Sequence, residues 1–100
     1  MAHEPLNVSQ VEARLKSLHQ WTFNASDSSI AKEWRFESYK KAIEMLVKVS
    51  ELAESHNHHP EMVSAYTRIR VKLWTHDAQG LTSKDFELAQ AIDQLVAQEF

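Results

Sequence analysis

Glu54-Ser55-His56-Asn57-His58-His59-Pro60 is where the hydrophobic period of this 100-residue chain changes. Upstream, from Ser38 to about Asn57, apolar residues recur at helical spacing. Downstream, Met62-Val63-Ser64-Ala65-Tyr66 and Ile69-Arg70-Val71-Lys72-Leu73-Trp74-Thr75-His76 alternate with period two. A proline pushes the residue before it towards extended geometry, so His59 leaves the helical path. The junction reads as the exit of a long helix into two antiparallel strands, joined near Thr67-Arg68. In the second strand Ile69, Val71 and Leu73 face the core, and His76 shares the opposite face with Trp74.

The long helix has Ser38 as its N-cap. Lys40, Glu44, Lys48, Glu51 and Ser55 form a polar stripe, while Ala42, Ile43, Met45, Leu46, Val47, Val49, Leu52 and Ala53 cover most of the remaining circumference. A surface helix needs only one apolar stripe. The excess, including Met45 and Leu52, predicts a second buried contact, most simply another subunit in a homodimer or homotetramer, the alternative being burial beneath the other helices.

Further upstream, residues 1–7 read as loose. Ser9 and Glu12 read as a capping box, with Val11, Leu15 and Leu18 continuing a helix to about His19. Trp21-Thr22-Phe23, a turn at residues 24–29, and Ile30, Trp34 and Phe36 on one side of the next segment form a hairpin, with Lys32 interrupting its apolar side. Beyond the second strand pair, Asp77-Ala78-Gln79-Gly80 is a loop. Thr82 and Asp85 give another capping box, with Leu81 and Phe86 as its hydrophobic staple, and Leu88, Ala89, Ile92, Leu95 and Val96 form the stripe of the last helix. The order α-β-β-α-β-β-α predicts a two-layer α+β fold: a four-stranded antiparallel sheet with helices packed on one face, in a single domain over residues 1–100.

Composition narrows the function classes. With no cysteine there is neither a disulfide framework nor a thiolate metal site. A net charge of −3 argues against a nucleic-acid surface, which carries a basic excess. The first twenty residues lack the basic start and apolar run of a signal peptide, and no segment is apolar enough to cross a bilayer. The expectation is a soluble, cytoplasmic domain with no membrane partner.

Three of the six histidines fall within four positions, and His76 closes the next strand pattern. Imidazole both gives and takes protons near neutral pH, so the cluster points to acid–base chemistry. A histidine at a helix C-terminus is also favoured by the macrodipole without any function. As metal ligands, His56, His58, His59 and His76 match no familiar spacing. From spacing alone Asp85 is the helix-capping partner of Thr82, and Glu54 a solvated helix residue. His3 and His19 have no constellation around them.

Taken together, Glu54, three residues, His58-His59-Pro60, five residues, Tyr66, nine residues, His76, eight residues and Asp85 resemble the signature of the pterin-4a-carbinolamine dehydratases. Leu52-Ala53-Glu54, His59-Pro60-Glu61 and Thr75-His76-Asp77 through Gly80-Leu81-Thr82 resemble that family too, and the similarity runs from Trp21 to the final helix. Two positions depart from it. Met62 stands where an aromatic residue often follows His-Pro-Glu, and Trp74 where a small or hydroxyl residue is usual; Trp74 offers a ligand a stacking face or narrows the pocket.

The resemblance implies loss of water from a 4a-hydroxytetrahydropterin to give the quinonoid dihydropterin, a step that recycles the cofactor of aromatic amino acid hydroxylases. The departing hydroxyl needs a proton donor and the neighbouring ring nitrogen an acceptor, roles that imidazoles with an ordinary pKa of about 6.5 can fill. On this resemblance His58, His59 and His76 are catalytic, and Asn57, Trp74, Thr75 and Asp77 hold the pterin. Glu54 and Asp85 orient the imidazoles, and no metal or organic cofactor is required. Which histidine is acid and which base stays open. Some family members also serve as dimerisation partners of a homeodomain transcription factor, a role the long helix would suit. A pterin-binding protein without turnover is the third alternative.

Overall fold

Alternation along the chain builds a sheet with one apolar and one polar face. The computed structural model describes residues 4–100. His3 and the first part of the stretch read as loose lie outside the described residues. Four strands, β1 (Thr22–Asn24), β2 (Ser29–Arg35), β3 (Glu61–Ala65) and β4 (Arg68–Leu73), pair antiparallel in the order β1-β2-β4-β3. In the central pair, Ile30 faces Leu73, Lys32 faces Val71 and Trp34 faces Ile69 on the core side. The intervening Ala31–Lys72, Glu33–Arg70 and Arg35–Arg68 pairs lie on the other side, because side chains of a strand alternate. Ile30, Ile69, Val71 and Leu73 are fully buried.

Three helices, α1 (Val8–Leu15), α2 (Tyr39–His56) and α3 (Ser83–Glu99), complete the α-β-β-α-β-β-α order expected from the sequence. Val11 of α1, Ala42, Met45, Val49 and Ala53 of α2, and Phe86, Leu88, Ala89 and Ile92 of α3 share one core with the inner face of the sheet. No helix among the described residues is long and apolar enough to cross a membrane.

Several local expectations are corrected. Helix α1 is capped by Asn7 and Gln10, each side chain accepting the other's backbone N–H at 2.9 Å, in place of Ser9 and Glu12. Asn is as strong an N-cap as Ser, and Gln fills the third helical position as Glu would. The helix ends at Leu15, short of His19. Leu6 N–H donates to Leu81 O at 2.7 Å, so this part of the N-terminal stretch is tied down. The β3–β4 turn sits at Tyr66-Thr67, one residue earlier than expected, with Tyr66 at φ 60°. Strand β4 stops at Leu73, and His76 opens a short 3-10 turn, His76–Ala78, so strand alternation is not what directs His76.

Met45 is also corrected. It is fully buried within its own chain, and Leu52 packs half-buried against the same core. Lying on the sheet with α3 alongside, α2 is covered over a wider arc than a single stripe. What remains exposed is Tyr39 and Val47, beside a groove that Ile43 and Phe100 also line.

Lys32, the apparent interruption of an apolar face, is accounted for by α3. Its Nζ lies 2.7 Å from Asp93 Oδ1 and 5.0 Å from the Trp34 ring, while Trp21 Nε1 donates to Asp93 Oδ2 at 3.0 Å. The pair pins the first hairpin to α3. Breaking it costs about 2 kcal/mol, below that of a sealed ion pair because both side chains keep some contact with solvent.

Candidate active site

The end of α2 sets the geometry of the histidine cluster. Asn57 takes the left-handed conformation, φ 50° and ψ 41°, which Asn tolerates better than most residues. Its N–H donates to Glu54 O and that of His58 to Ala53 O, both at 3.1 Å, the two bonds of a Schellman stop. The chain therefore turns sharply at Asn57, and Pro60 commits it to β3. His58 and His59 are carried off the helix axis in consecutive, differently directed positions.

The opposite wall is the segment from β4 to α3. Thr75 N–H donates to Gly80 O at 2.8 Å, closing the loop that carries the 3-10 turn and His76. A side chain on Gly80 would place its Cβ 2.9 Å from that of Pro5, so the loop closes this tightly only with glycine.

Asp85 lies between the two walls with no solvent exposure. It fills the capping box expected with Thr82, and it does more. Its Oδ2 accepts from Thr82 N–H at 3.0 Å and from the Thr75 hydroxyl at 2.7 Å, and its Oδ1 is 2.6 Å from His58 Nε2. Since a carboxylate only accepts, the proton on this edge of His58 belongs to Nε2, and Nδ1 is the nitrogen left for exchange. The same reasoning orders the hydroxyls. Thr75 gives its proton to Asp85, so Thr82 donates to Thr75 Oγ1 across 2.8 Å, and Thr82 Oγ1 accepts the N–H of Lys84 at 3.3 Å. Among the described residues no buried side-chain polar atom lacks a partner.

His59 is held more loosely. Its Nε2 is 2.8 Å from Glu54 Oε1, with both side chains mostly in solvent, where such a pair contributes little. His76 is exposed at the start of the 3-10 turn.

One cleft of about 370 Å³ collects these groups, and it is lined by Asn57, His58, His59, Trp74, Thr75, His76, Asp77 and Lys84. Its size falls in the range of about 300–1,000 Å³ usual for small-molecule sites. The structure thus brings together on one surface all seven residues read from the sequence as catalytic or pterin-holding. Glu54 and Asp85 stand behind them as hydrogen-bond partners. The Thr75 hydroxyl points into the buried network, so this side chain supports the wall it also lines. Among the described residues no three His, Cys, Asp or Glu side chains gather as a metal-binding group; the carboxylates and imidazoles are arranged as pairs.

Two participants were missed by sequence reasoning. Lys84 lines the cleft, and its only sequence signal is its place beside Asp85 in the first turn of α3. The Thr82 hydroxyl, which caps α3 through the Lys84 N–H, is also bonded to the Thr75 hydroxyl, a contact invisible in a capping-box reading. A larger groove, about 760 Å³, runs along α2 between Tyr39 and Phe100, but it contains no histidine, so size alone does not locate the chemistry.

Comparison with known proteins gives the chain its family and its fold relatives. The family model for pterin 4 alpha carbinolamine dehydratase matches residues 4–95. A Rhizobium johnstonii protein provisionally named pterin-4-alpha-carbinolamine dehydratase is 41% identical over 97 residues, covering 97% of this chain and 96% of its own. The crystal structure of a Brucella melitensis protein described as a transcriptional coactivator/pterin dehydratase superposes with a TM-score of 0.87 at 27% identity, over 92% of this chain and 98% of that one. A pterin dehydratase-like protein identified as a RuBisCO assembly factor in the alpha-carboxysome shares the fold alone, at a TM-score of 0.66 and 24% identity over 77% of this chain and 89% of that one. The chain belongs to the pterin-4-alpha-carbinolamine dehydratase family.

Proposed function

We propose that this protein dehydrates 4a-hydroxytetrahydropterins to quinonoid dihydropterins in the cytoplasm, recycling the tetrahydropterin of aromatic amino acid hydroxylases. The observation that carries the reading is the imidazole of His58, fixed on buried Asp85 and sharing one cleft with His59 and His76. One imidazolium delivers a proton to the departing 4a-hydroxyl, which leaves as water. A neutral imidazole removes the proton from the neighbouring ring nitrogen, and the electron pair of that N–H bond becomes the new C=N bond. His58, His59 and His76 share these roles. Asp85 sets the tautomer and direction of His58, Glu54 steadies His59, and Asn57, Trp74, Thr75 and Asp77 contact the pterin. Each proton-transfer group is worth about 10²–10⁴-fold. The test is dehydration of 4a-hydroxytetrahydropterin followed beside the spontaneous reaction. A rate proportional to protein concentration supports the reading, and a rate equal to the blank removes it.

The exposed apolar residues on α2 favour a second property. Tyr39, Ile43, Val47 and Phe100 line a groove that fits helix-to-helix docking, and self-association as a homodimer or homotetramer is its simplest use. The Brucella relative's description as a coactivator raises an adaptor role on the same surface. The buried Asp85–His58 pair favours the enzyme, since an adaptor has no use for it.

A further inference from the structure

We infer that Trp74 is the aromatic wall of the cleft, on which the flat face of the bound heterobicycle stacks, and that Lys72 is the positioning residue that holds its indole in place. This rests on the pterin reading above and adds the surface that fixes the ring's plane.

Trp74 lines the cleft half-buried, one residue past the end of β4. A side chain at a strand end is free to turn unless something holds it, and here Lys72 does. The two residues lie on the same side of the strand, and Lys72 Nζ sits over the indole at 5.3 Å from the ring centroid. The cation occupies one face, and since Trp74 lines the cleft while Lys72 does not, the opposite face is the one we assign to the ligand. Lys72 is itself anchored: its Nζ is 2.5 Å from Asp27 Oδ2, and Asp27 Oδ1 accepts from the Ser29 hydroxyl at 2.6 Å. The hydrogen bond from Lys72, followed by that from Ser29, holds the Asp27 carboxyl below its ordinary range, so the anchor stays charged through neutral pH. The β3–β4 register ends on the pair Glu61–Lys72, and His59 and Trp74, each two residues beyond that pair and outside the strands, both line the cleft. The chain Asp27–Lys72–Trp74 thus runs from the β1–β2 turn to the wall beside a proposed catalytic imidazole.

A pterin presents a planar bicycle, and stacking a flat heterocycle on an aromatic side chain contributes binding without favouring one reaction stage over another. The expected signature is therefore a rise in KM with little change in kcat. Lys72 is on the polar face of the sheet, so its replacement leaves the core intact.

The experiment measures steady-state dehydration of 4a-hydroxytetrahydropterin, and calorimetric binding of 7,8-dihydrobiopterin, for Trp74→Leu, Trp74→Phe, Lys72→Met, Lys72→Arg and the Lys72→Met/Trp74→Leu double variant. Trp74→Leu should raise KM and Kd about tenfold, with Trp74→Phe closer to the parent protein. Lys72→Met should raise both about threefold, and Lys72→Arg should restore them, since a guanidinium keeps both the ion pair and the ring contact. Because Lys72 acts through Trp74, Lys72→Met should add nothing in the Trp74→Leu background. Unchanged binding in Trp74→Leu, no rescue by Arg, or a full Lys72 effect in the absence of Trp74 would each overturn the inference. Turnover with indifferent variants leaves the dehydratase reading intact and removes the wall. The full binding pattern without turnover keeps the wall and removes the dehydratase.

Discussion

His58 Nε2 lies 2.6 Å from Oδ1 of Asp85, a carboxylate with no solvent exposure that also accepts from Thr75 and Thr82. One residue thus caps a helix and sets the tautomer of an imidazole 27 positions away. Asp85→Asn replaces an acceptor that three donors address with an amide offering one oxygen. We expect kcat to fall about 10²-fold with little change in KM, together with a lower melting temperature. Ser38→Ala, which removes the cap of α2 far from the cleft, should cost about 1 kcal/mol of stability and leave kcat unchanged. Equal kinetic effects in the two variants would show that Asp85 acts only through the fold.

Glu54 and His59 form the exposed counterpart of that pair. An ion pair in solvent contributes about 0–1 kcal/mol, so Glu54→Gln should lower kcat/KM by less than about fivefold. His59→Ala should lower it much further. Steady-state kinetics of both variants compare the two directly.

On α2, burial separates folding from assembly. Met45→Glu places a charge in the intrachain core and should unfold the protein, as circular dichroism would register. Val47→Glu, on the half-exposed groove, should leave the fold intact and lower the mass measured by light scattering, since the groove is the proposed self-association surface. A strictly monomeric parent protein at micromolar concentration would remove that proposal.

The pH profile reports the proton donors and acceptors together. With one imidazole protonated and another neutral, kcat/KM against pH should be bell-shaped, its limbs belonging to the coupled set of histidines. Asp27 does not contribute to the acid limb. Its carboxyl is held below the ordinary value by Lys72 and Ser29, so the anchor it provides is lost only as pH falls below the usual carboxylate range. Exhaustive EDTA treatment should leave activity unchanged. Loss on chelation with recovery on zinc would overturn the cofactor-free mechanism.

Much of this molecule was legible wherever local chemistry decides structure. The Ser38 cap, the end of the long helix near Asn57 before Pro60, and the Thr82–Asp85 box each depend on residues within a few positions, and the sequence pattern placed them well. The first helix was misjudged because Asn7–Gln10 and Ser9–Glu12 are rival capping pairs two residues apart, and pattern alone does not rank them. Met45 was misassigned because the arc of α2 covered by α3 and the sheet is a tertiary quantity. The same holds for Lys32 with Asp93 and Lys72 with Asp27, whose partners are 61 and 45 residues apart. The motif named the cleft residues and the two carboxylates behind the imidazoles; it did not reveal that Asp85 pairs with His58 and Glu54 with His59.

The most direct measurement is the rate of 4a-hydroxytetrahydropterin dehydration by the parent protein beside a variant carrying His58→Ala, His59→Ala and His76→Ala. The parent rate should exceed the spontaneous one in proportion to enzyme, and the folded triple variant should not rise above it. A parent rate at the spontaneous level, or a triple variant as fast as its parent, would contradict acid–base catalysis by this histidine cluster.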